Sequence, residues 1–263
     1  MADKNLIMGV DIGSAATKCV IMRENGTIAA EAVVPAGTGT TGPSRAVSAA
    51  CEAAGTAPDE MSCVAATGYG RNTFSDADIC LSELVCHAKG AVWLFPESRT
   101  VADVGGQDVK VLTLSSDGKL SNFIMNDKCA AGTGRFLEVM ARVLETDVSL
   151  MDELAAGAKE PVEISSTCTV FAESEVISRL SQGSDKRDIA AGIHHSVAVR
   201  VASLCKRSGV IPPLFMTGGL SHNKDVVRAL RAELVTDVFT DTRGQLAGAI
   251  GAAVLAIERG TKR

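Results

Sequence analysis

One short pattern occurs twice in this chain, and its repetition restricts the possible folds more than any other feature. An apolar run of the kind that forms a buried strand leads into an Asp-x-Gly turn, first at Asp11 and again at Asp103. In each copy a lysine follows the aspartate by seven residues, Lys18 in the first and Lys110 in the second. An Asn-Gly or Asp-Gly pair, which is a strong hairpin signal, begins fourteen residues after each aspartate. The matched offsets predict two related units, each opening with a strand, the turn, a second strand, a hairpin and a third strand.

Patterns typical of α-helices follow each predicted set of strands. In the first half they cover 44–55 and 82–94, and in the second half they cover 132–145, 170–182, 185–207, 223–235 and 244–258. Short strands are expected near 63–67, 213–217 and 235–240. Strands that alternate with helices predict an α/β fold with two mixed-sheet halves. We expect an N-terminal half over 1–98 and a C-terminal half over 99–263, with the last helix returning to the first half.

Composition and charge narrow the classes of function. With 46% hydrophobic and 22% charged residues the chain is typical of soluble globular proteins, and its net charge of -5 argues against a nucleic-acid-binding surface. No apolar run approaches the roughly 20 residues that span a bilayer, and the first residues lack the pattern of a signal peptide. We therefore expect a cytoplasmic protein that uses neither a membrane nor a nucleic acid as partner. In that compartment its eight cysteines are expected to be free thiols or metal ligands, and without a Cys-x-x-Cys motif any metal site must combine distant cysteines.

The two Asp-x-Gly turns have the chemistry of a phosphate-binding site. Glycine allows backbone N–H groups to approach phosphate oxygens, and the carboxylates of Asp11 and Asp103 can hold Mg²⁺ directly or through water. Gln107, after the second turn, is suited to orient the water that attacks ATP, as glutamines do in other nucleotide hydrolases. These three residues are the catalytic candidates. The candidate ATP or ADP contacts are Gly13, Ser14, Ala15, Ala16, Thr17, Lys18, Gly105, Gly106, Gly132, Gly134, Gly218, Gly219 and Gln245.

A third glycine turn, Gly218-Gly219, follows an apolar strand and precedes a predicted helix, where bare backbone suits the adenosine of a nucleotide. Each of the three turns alone is also compatible with an ordinary tight turn at a strand end. Their order resembles that of the actin, Hsp70 and sugar-kinase ATPase superfamily, which implies a duplicated actin-like ATPase fold of the ribonuclease H-like type. Many members carry Thr or Ser two residues after the first turn's glycine, where this chain has Ala15, so Ser14 or Thr17 is left to supply that hydroxyl.

Two cysteines stand just before predicted helices, Cys129 before 132–145 and Cys168 before 170–182. The free N–H groups and the positive dipole end of a helix N-terminus favour the thiolate, which is the form that binds metals. A cubane iron–sulfur cluster takes four thiolates, so the simplest complete site is a homodimer in which each chain gives two cysteines to one bridging 4Fe–4S cluster. Buried thiols and a zinc ion between two chains are the alternatives.

The remaining cysteines and histidines are expected to have structural roles. Six cysteines lie in apolar strands or helices and are expected in the core, although 76–87 is also compatible with an exposed loop: Cys19, Cys51, Cys63, Cys80, Cys86 and Cys205. Four histidines show no metal-ligand spacing and are expected at the surface or at helix caps: His87, His194, His195 and His222.

The segments around the two cysteines, 126–136 and 165–175, resemble the signatures of the activators of 2-hydroxyacyl-CoA dehydratases, above all those of (R)-2-hydroxyglutaryl-CoA dehydratase. The likeness covers essentially the whole chain, and the related benzoyl-CoA reductase-type ATPases share it. It implies a homodimeric, oxygen-sensitive ATPase of anaerobic metabolism, with one 4Fe–4S cluster held by Cys129 and Cys168 of both chains. Such activators take an electron from reduced ferredoxin or flavodoxin and use ATP hydrolysis to pass it, at very low potential, to the dehydratase.

Two other functions are compatible with the residues. A small-molecule kinase of the same fold needs a carboxylate base near the γ-phosphate, and the turn aspartates are the only clear candidates. A non-catalytic regulator would bind a partner according to its nucleotide state. If the chain is an activator, the acyl-CoA specificity is expected to reside in the dehydratase, which is a separate polypeptide.

Overall fold

Two five-stranded mixed sheets carry the fold in the computed structural model, which describes residues 5–165 and 168–260. In chain order the strands are β1 (Leu6–Ile12), β2 (Thr17–Arg23), β3 (Ile28–Val34), β4 (Cys63–Thr67), β5 (Ile79–Cys80), β6 (Thr100–Val104), β7 (Val109–Leu114), β8 (Leu120–Asn126), β9 (Leu214–Thr217) and β10 (Val238–Phe239). The α-helices are α1 (Gly42–Ala54), α2 (Glu83–Leu94), α3 (Gly134–Val143), α4 (Met151–Ala156), α5 (Thr169–Ser181), α6 (Lys186–Ser208), α7 (Lys224–Leu234) and α8 (Ala247–Arg259).

The chain forms two compact units that are not continuous in sequence. The first runs to Ser98 and also includes Leu114–Ser121 and the residues from Arg243 onward. The second consists of Arg99–Thr113 and Asn122–Thr242. Each unit contains one of the two Asp-x-Gly turns.

The two sheets have the same strand order, which confirms the predicted duplication. The first is ordered β3-β2-β1-β4-β5, and the second, counted in the same direction, is β8-β7-β6-β9-β10. In both, the first strand is antiparallel to the second and parallel to the strand on its other side. Asp11 lies opposite Lys18 across the β1–β2 ladder, and Asp103 lies opposite Lys110 across β6–β7. The seven-residue offset in the sequence is therefore a cross-strand pair beside a tight turn.

Glycine and alanine allow very close packing in the first unit. The helix α8 lies against β1 and α2. A Cβ at Gly9 of β1 would come within 2.0 Å of the Ala249 carbonyl oxygen, and one at Gly90 of α2 within 1.8 Å of the Ala247 carbonyl oxygen. Because no side-chain carbon can approach so closely, only glycine fits at these two positions. The C-terminal helix thus completes the core of the first unit, as the sequence leads us to expect.

The core of the second unit packs β6, β7 and β9 against α3, α5, α6 and α7. The helix α6 spans 23 residues and is buried along most of its length. It therefore serves as the central support of this unit. No helix in the described part of the chain is both long and apolar enough to cross a membrane.

Some element boundaries differ from the prediction because the local backbone overrides the sequence pattern. The helix α3 begins at Gly134 and not at residue 132, since Gly132 has a φ of +88°, which a right-handed helix cannot contain. The strand predicted over 235–240 is limited to β10, because Val235 ends α7 in a left-handed conformation with a φ of +50°. The short elements α4 and β5 have no counterpart in the prediction, since six and two residues are too few to show a period.

Candidate functional site

The first Asp-x-Gly turn joins β1 to β2 and has a charged pair at its base. Asp11 is 2% exposed, and its Oδ2 lies 3.1 Å from the Nζ of Lys18. The N–H of Gly13 donates to the carbonyl of Ala16 at 3.1 Å and closes the turn. Ser14 is exposed at its tip. The turn therefore combines accessible backbone and a hydroxyl with a buried carboxylate that a lysine holds in place.

Glycines from two other segments of the first unit approach Asp11 closely. A Cβ at Gly68, whose φ is +84°, would come within 2.4 Å of Asp11 Oδ1. A Cβ at Gly248 of α8 would lie 3.0 Å from Asp11 Oδ2 and 3.0 Å from Nε2 of His87. The surrounding backbone thus fixes the position of the Asp11 carboxylate.

The two hydroxyls that the sequence offers near this turn have different surroundings. Thr17 is fully buried, and its Oγ1 donates to the carbonyl of Ala36 at 2.9 Å. Ser14 is exposed, and the neighbouring Ala15 is half-buried. The hydroxyl of Ser14 is therefore accessible, whereas that of Thr17 is used within the fold.

The second Asp-x-Gly turn joins β6 to β7 and closes in the same way, with the N–H of Gly105 donating to the carbonyl of Asp108 at 2.9 Å. Asp103 is 2% exposed, and its Oδ1 accepts a hydrogen bond from Thr217 at 2.9 Å. Lys110 is 3% exposed and lies between two carboxylates, 2.7 Å from Asp108 Oδ2 and 3.5 Å from Asp103 Oδ2. One buried lysine is therefore the cationic partner of two acids.

The helix α3 begins directly on this second turn. The N–H groups of Gly134 and Arg135 donate to the carbonyls of Gly105 and Gly106 at 3.0 and 2.8 Å. Gln107, at the tip of the turn, is exposed. Two backbone hydrogen bonds thus tie the start of α3 to the second turn.

The third glycine turn lies beside the second. Gly218 follows β9 with a φ of +84°, and a Cβ there would come within 2.2 Å of the Val104 carbonyl oxygen. Gly219 opens a short 3₁₀ turn, and Asn223 then caps α7 by accepting from the N–H of Val226 at 2.9 Å. The structure therefore brings the second and third turns together in one unit.

Gln245 belongs to the first unit, where it lies half-buried in the 3₁₀ turn Gly244–Leu246 that leads into α8. The second and third glycine turns belong to the other unit. Gln245 and the third glycine turn therefore belong to different units.

The two cysteines differ in their relation to helices. Cys168 is the N-cap residue of α5, and it is exposed. Cys129 is also exposed and precedes α3, but it lies four residues before Thr133, the N-cap residue of that helix. The intervening chain forms a turn in which the N–H and Oγ1 of Thr133 both donate to the carbonyl of Ala130, at 3.0 and 2.6 Å. Ser166 and Thr167 lie outside the described residues.

Cys129 lies on a groove of about 880 Å³ in the second unit. The lining also includes Ser165, three residues before Cys168, and Arg200 of α6. A Cβ at Gly132 would come within 3.0 Å of the Arg200 Cβ, so the loop that follows Cys129 passes closely over α6. The groove thus brings both cysteine-bearing segments onto the same helix.

The other cysteines do not extend this pair into a larger site. Five are buried, which confirms their expected place in the core: Cys19, Cys51, Cys63, Cys86 and Cys205. Cys80 is exposed, so its predicted core position is wrong, because β5 is a two-residue edge strand. Burial raises the pKa of Cys86 and of Cys205 to about 12, so both stay protonated at neutral pH. Within the described residues no three or more His, Cys, Asp or Glu side chains are arranged to hold a metal ion.

Two of the histidines are buried, although the sequence predicts surface or capping positions for them. His87 is 5% exposed and His194 is 0% exposed. The Nδ1 of His194 lies 3.0 Å from Asp225 Oδ2, and its Nε2 lies 3.2 Å from Asn223 Nδ2. His195, the next residue, is 59% exposed. The prediction for His194 is wrong because α6 is covered on several sides, so that neighbouring positions have opposite environments.

Asp225 is the acidic partner in this buried network. Burial by itself raises the pKa of its carboxyl, but hydrogen bonds from His194 and Arg228 outweigh that effect and lower the pKa. Sequence reasoning missed both Asp225 and Asn223. An Asn at the N-cap and an Asp in the first turn are recognisable helix-start signals, but the contact with His194, 31 residues away, requires the folded structure.

The model of the BadF/BadG/BcrA/BcrD ATPase family matches residues 8–256 of this chain. The protein belongs to that ATPase family. The activator of lactoyl-CoA dehydratase from Anaerotignum propionicum is 51% identical, over 97% of this chain and 99% of its own length. The (R)-2-hydroxyglutaryl-CoA dehydratase activating ATPase of Acidaminococcus fermentans is 50% identical, over 97% of this chain and 98% of its own length.

Solved structures confirm the fold. The activator of the 2-hydroxyisocaproyl-CoA dehydratase from Clostridium difficile, with bound ADPNP, has a TM-score of 0.94 and 51% identity, covering 97% of this chain and 95% of that one. A ROK family glucokinase from Streptomyces griseus has a TM-score of 0.58 at 15% identity, covering 97% of this chain and 100% of that one. The second likeness shows a shared fold alone, so it does not favour a kinase. As a BadF/BadG/BcrA/BcrD ATPase, the protein has the duplicated actin-like architecture that the order of its three turns predicts.

Proposed function

We propose that the protein is an ATP-dependent iron–sulfur electron-transfer activator that hydrolyses ATP and passes a low-potential electron to a 2-hydroxyacyl-CoA dehydratase. The observation that carries the proposal is the placement of Cys129 and Cys168, two exposed free thiols in the unit that also contains the second and third glycine turns. Relatives of about the same length that are 50% and 51% identical are named as activators of such dehydratases, which supports this function.

The nucleotide part of the proposal gives each turn a separate task. Asp11 and Asp103 would hold Mg²⁺, which when bound supplies positive charge to the phosphates of ATP. Lys18 neutralises charge beside the first turn. Backbone N–H groups from Ser14 to Ala16 and of Gly106 bind phosphate oxygens, with the hydroxyl of Ser14 as a further donor. Gly13 and Gly105, whose N–H groups close the two turns, serve the nucleotide by leaving room for its phosphates. Glycine turns bind phosphate well because no Cβ blocks the approach of the ligand.

Gln107 is proposed to orient the water molecule that attacks the γ-phosphorus, which yields ADP and phosphate. Its exposure at the tip of the second turn supports this role. Gly218 and Gly219 support the adenosine, with Gln245 as a further nucleotide contact. Gly134 has its N–H bonded to Gly105, so in this proposal it and Gly132 serve by letting the backbone of the cysteine loop approach the second turn.

Cys129 and Cys168 are proposed as ligands of a 4Fe–4S cluster. The donor set fits, because both are accessible thiols, while burial holds the Cys86 and Cys205 thiols protonated. Two thiolates are half of what a cubane cluster takes, so the complete site is one cluster between two copies of the chain in a homodimer. When bound, the cluster supplies one-electron transfer. A zinc ion between two chains is the alternative occupant.

The remaining partners follow from that chemistry. A reduced ferredoxin or flavodoxin supplies the electron, and the dehydratase receives it in an anaerobic cytoplasm. Relatives of almost equal identity are named for lactoyl-CoA and (R)-2-hydroxyglutaryl-CoA dehydratases, so identity alone does not assign the acyl group. Activation assays with several candidate dehydratases, reductant and ATP identify the partner.

Anaerobic purification tests the cluster directly. We expect a brown protein with about four iron and four sulfide per two chains, and loss of both in Cys129→Ser and in Cys168→Ser. Cys80→Ser is the matched control, because Cys80 is also an exposed free thiol, and it should retain the cluster. A colourless wild-type protein that takes up no iron and sulfide after reconstitution would overturn the proposal. Retention of the cluster in either of the first two variants would overturn the ligand assignment.

A further inference from the structure

The helix α6 contacts the segment that leads to Cys168 near its N-terminus. The Asp188 carboxylate accepts hydrogen bonds from the N–H groups of Lys159 and Glu160 at 2.6 and 2.9 Å, and the Asp188 carbonyl accepts from Val162 at 3.0 Å. A Cβ at Gly192, one turn further along, would come within 1.7 Å of the Val162 carbonyl oxygen. The segment therefore lies directly on the backbone of α6 and is hydrogen-bonded to it.

Further along, α6 contacts the loop of Cys129. A Cβ at Gly132 would lie 3.0 Å from the Cβ of Arg200, and Gly132 is buried with a φ of +88°. Asn126 closes the other side of this loop by donating to the carbonyl of Cys129 at 3.2 Å. One helix thus supports both cysteine-bearing segments.

Between these two contacts, α6 is joined to the third glycine turn by His194. The Oδ1 of Asn223 accepts from the N–H of Val226, so the Nδ2 of Asn223 faces His194 and donates to its Nε2. His194 Nε2 is therefore the acceptor, and its proton lies on Nδ1, which donates to Asp225 at 3.0 Å. His194 is fully buried, so this pair of hydrogen bonds is shielded from water.

We propose that His194 is a positioning residue: it ties the glycine turn after β9 to α6, and α6 carries the state of the bound nucleotide to the loops of Cys129 and Cys168. This inference rests on the proposed function, because it takes Gly218 and Gly219 as nucleotide contacts. It adds a second route to that function: the second turn is bonded to the start of α3, which follows the Cys129 loop, whereas α6 contacts both cysteine segments directly. Asn223 makes this connection, because it follows the third glycine turn, is the N-cap residue of α7 and bonds to His194 of α6.

Two substitutions at His194 separate its two hydrogen bonds. In His194→Gln the amide reaches the position of Nε2 and can still accept from Asn223, while the bond to Asp225 is lost. In His194→Asn the amide nitrogen lies near the position of Nδ1 and can still donate to Asp225, while the bond to Asn223 is lost. His195→Asn is the matched control, since His195 joins the same two helices through Glu233 at 3.1 Å but does not contact the turn.

The test uses the full-length protein with saturating MgADP or Mg-ADPNP, and binding is confirmed by calorimetry for every variant. Before cluster reconstitution, the alkylation rates of Cys129 and Cys168 by N-ethylmaleimide are read by peptide mass spectrometry, with exposed Cys80 as the reference thiol. After reconstitution, the rate of iron release to a chelator is read in both nucleotide states. In the wild type and in His195→Asn, we expect the alkylation and iron-release rates to differ about fivefold or more between the MgADP and Mg-ADPNP states. That ratio is typical of the coupling between two sites.

We expect that ratio to fall toward one in His194→Asn and to be largely retained in His194→Gln, with both variants still binding nucleotide. A ratio in His194→Asn that equals the wild-type ratio would overturn the positioning role. The role would also be overturned if the alkylation rates of the wild-type cysteines did not depend on the bound nucleotide. Failure of the proposed function gives a different result, namely no nucleotide binding or no cluster in the wild type. The alkylation ratio is read without the cluster, so the two failures are distinguishable.

Discussion

At the end of β1 and at the end of β6 the chain makes the same turn, but the two turns carry different side chains. Their backbones match, since the closing hydrogen bonds are 3.1 Å from Gly13 to Ala16 and 2.9 Å from Gly105 to Asp108. The alanines at positions 15 and 16 of the first turn correspond to Gln107 and Asp108 in the second. The first turn therefore offers backbone and the Ser14 hydroxyl, while the second adds an amide and an acid.

The cross-strand lysines also differ. Lys18 bonds directly to Asp11 at 3.1 Å and is 16% exposed. Lys110 is 3% exposed and lies closer to Asp108 than to Asp103, which Thr217 supports with a hydrogen bond. The repeated backbone sets the geometry of both turns, while the residues unique to the second turn give it a more extensive buried network. The following substitutions test that difference.

The largest effect is expected from removing the lysine of the second turn. Lys110→Met leaves two carboxylates close together without their shared cation, so we expect a loss of about 3–5 kcal/mol in the free energy of unfolding. Lys18→Met, the matched change in the first turn, removes the partner of one carboxylate and should cost about 1.5–3 kcal/mol. Denaturant unfolding of the cluster-free protein measures both. Equal losses would show that the two networks do not differ in strength.

The next effect concerns hydrolysis. Gln107→Ala should lower the rate of ATP turnover about 100-fold, because the attacking water loses its orienting group. The affinity for MgADP should stay within about fivefold of the wild type, since an uncharged side chain at the tip contributes about 1 kcal/mol or less to binding. Ser14→Ala, at the tip of the first turn, is the comparison and should affect binding more than turnover. Unchanged turnover in Gln107→Ala would remove the catalytic distinction between the two turns.

A smaller effect is expected at the contact between the second and third turns. Thr217→Val keeps the shape of the side chain but removes the hydrogen bond to the buried Asp103, which should cost about 1–3 kcal/mol in the free energy of unfolding. Thr113→Val on β7 is a control, because its half-buried hydroxyl contacts Ser208 and not a turn aspartate. A loss no larger than that of the control would mean that Thr217 does not support Asp103.

The smallest effect comes from making the first turn more like the second. Ala16→Asp places a carboxylate where Asp108 lies in the other copy, near the partly exposed Lys18, and should raise the free energy of unfolding by about 0.2–1 kcal/mol. The gain should fall at high salt, because exposed charges are screened. A clear loss of stability would show that the first turn cannot accept the side-chain pattern of the second.

The sequence predicts those parts of the molecule that depend on short-range pairing. The Asp–Lys offsets are readable because both residues belong to one hairpin, and Cys63–Thr67 matches its predicted strand because it is a compact apolar run. The start of α3 cannot be predicted from such a local pattern. Gly132 takes a left-handed conformation above Arg200, a contact across 68 positions of the chain that no local pattern contains.

In the candidate site, too, the sequence predicts the residues that belong to short motifs but not those whose environment depends on distant segments. Its glycines and cysteines stand out as motifs, while the burial of His194 and Thr17 depends on partners from distant segments, Asp225 and Ala36. Helix periodicity does not separate His194 from His195 when a helix is covered on several sides. Residues of this kind require the tertiary structure because their environment is set by packing and not by their own neighbours in the sequence.

The close contact between β1 and α8 also affects the order in which the protein can fold during its synthesis. Gly9 of β1 and the α8 backbone that lies against it, around Ala249, are far apart in the chain, so β1 is synthesised long before its packing partner. The core of the first unit therefore stays incomplete until α8 has been made, whereas the second unit, which runs to Thr242, is synthesised before α8. A premature stop before Ala247 would thus leave the apolar surface of β1 uncovered and open to aggregation.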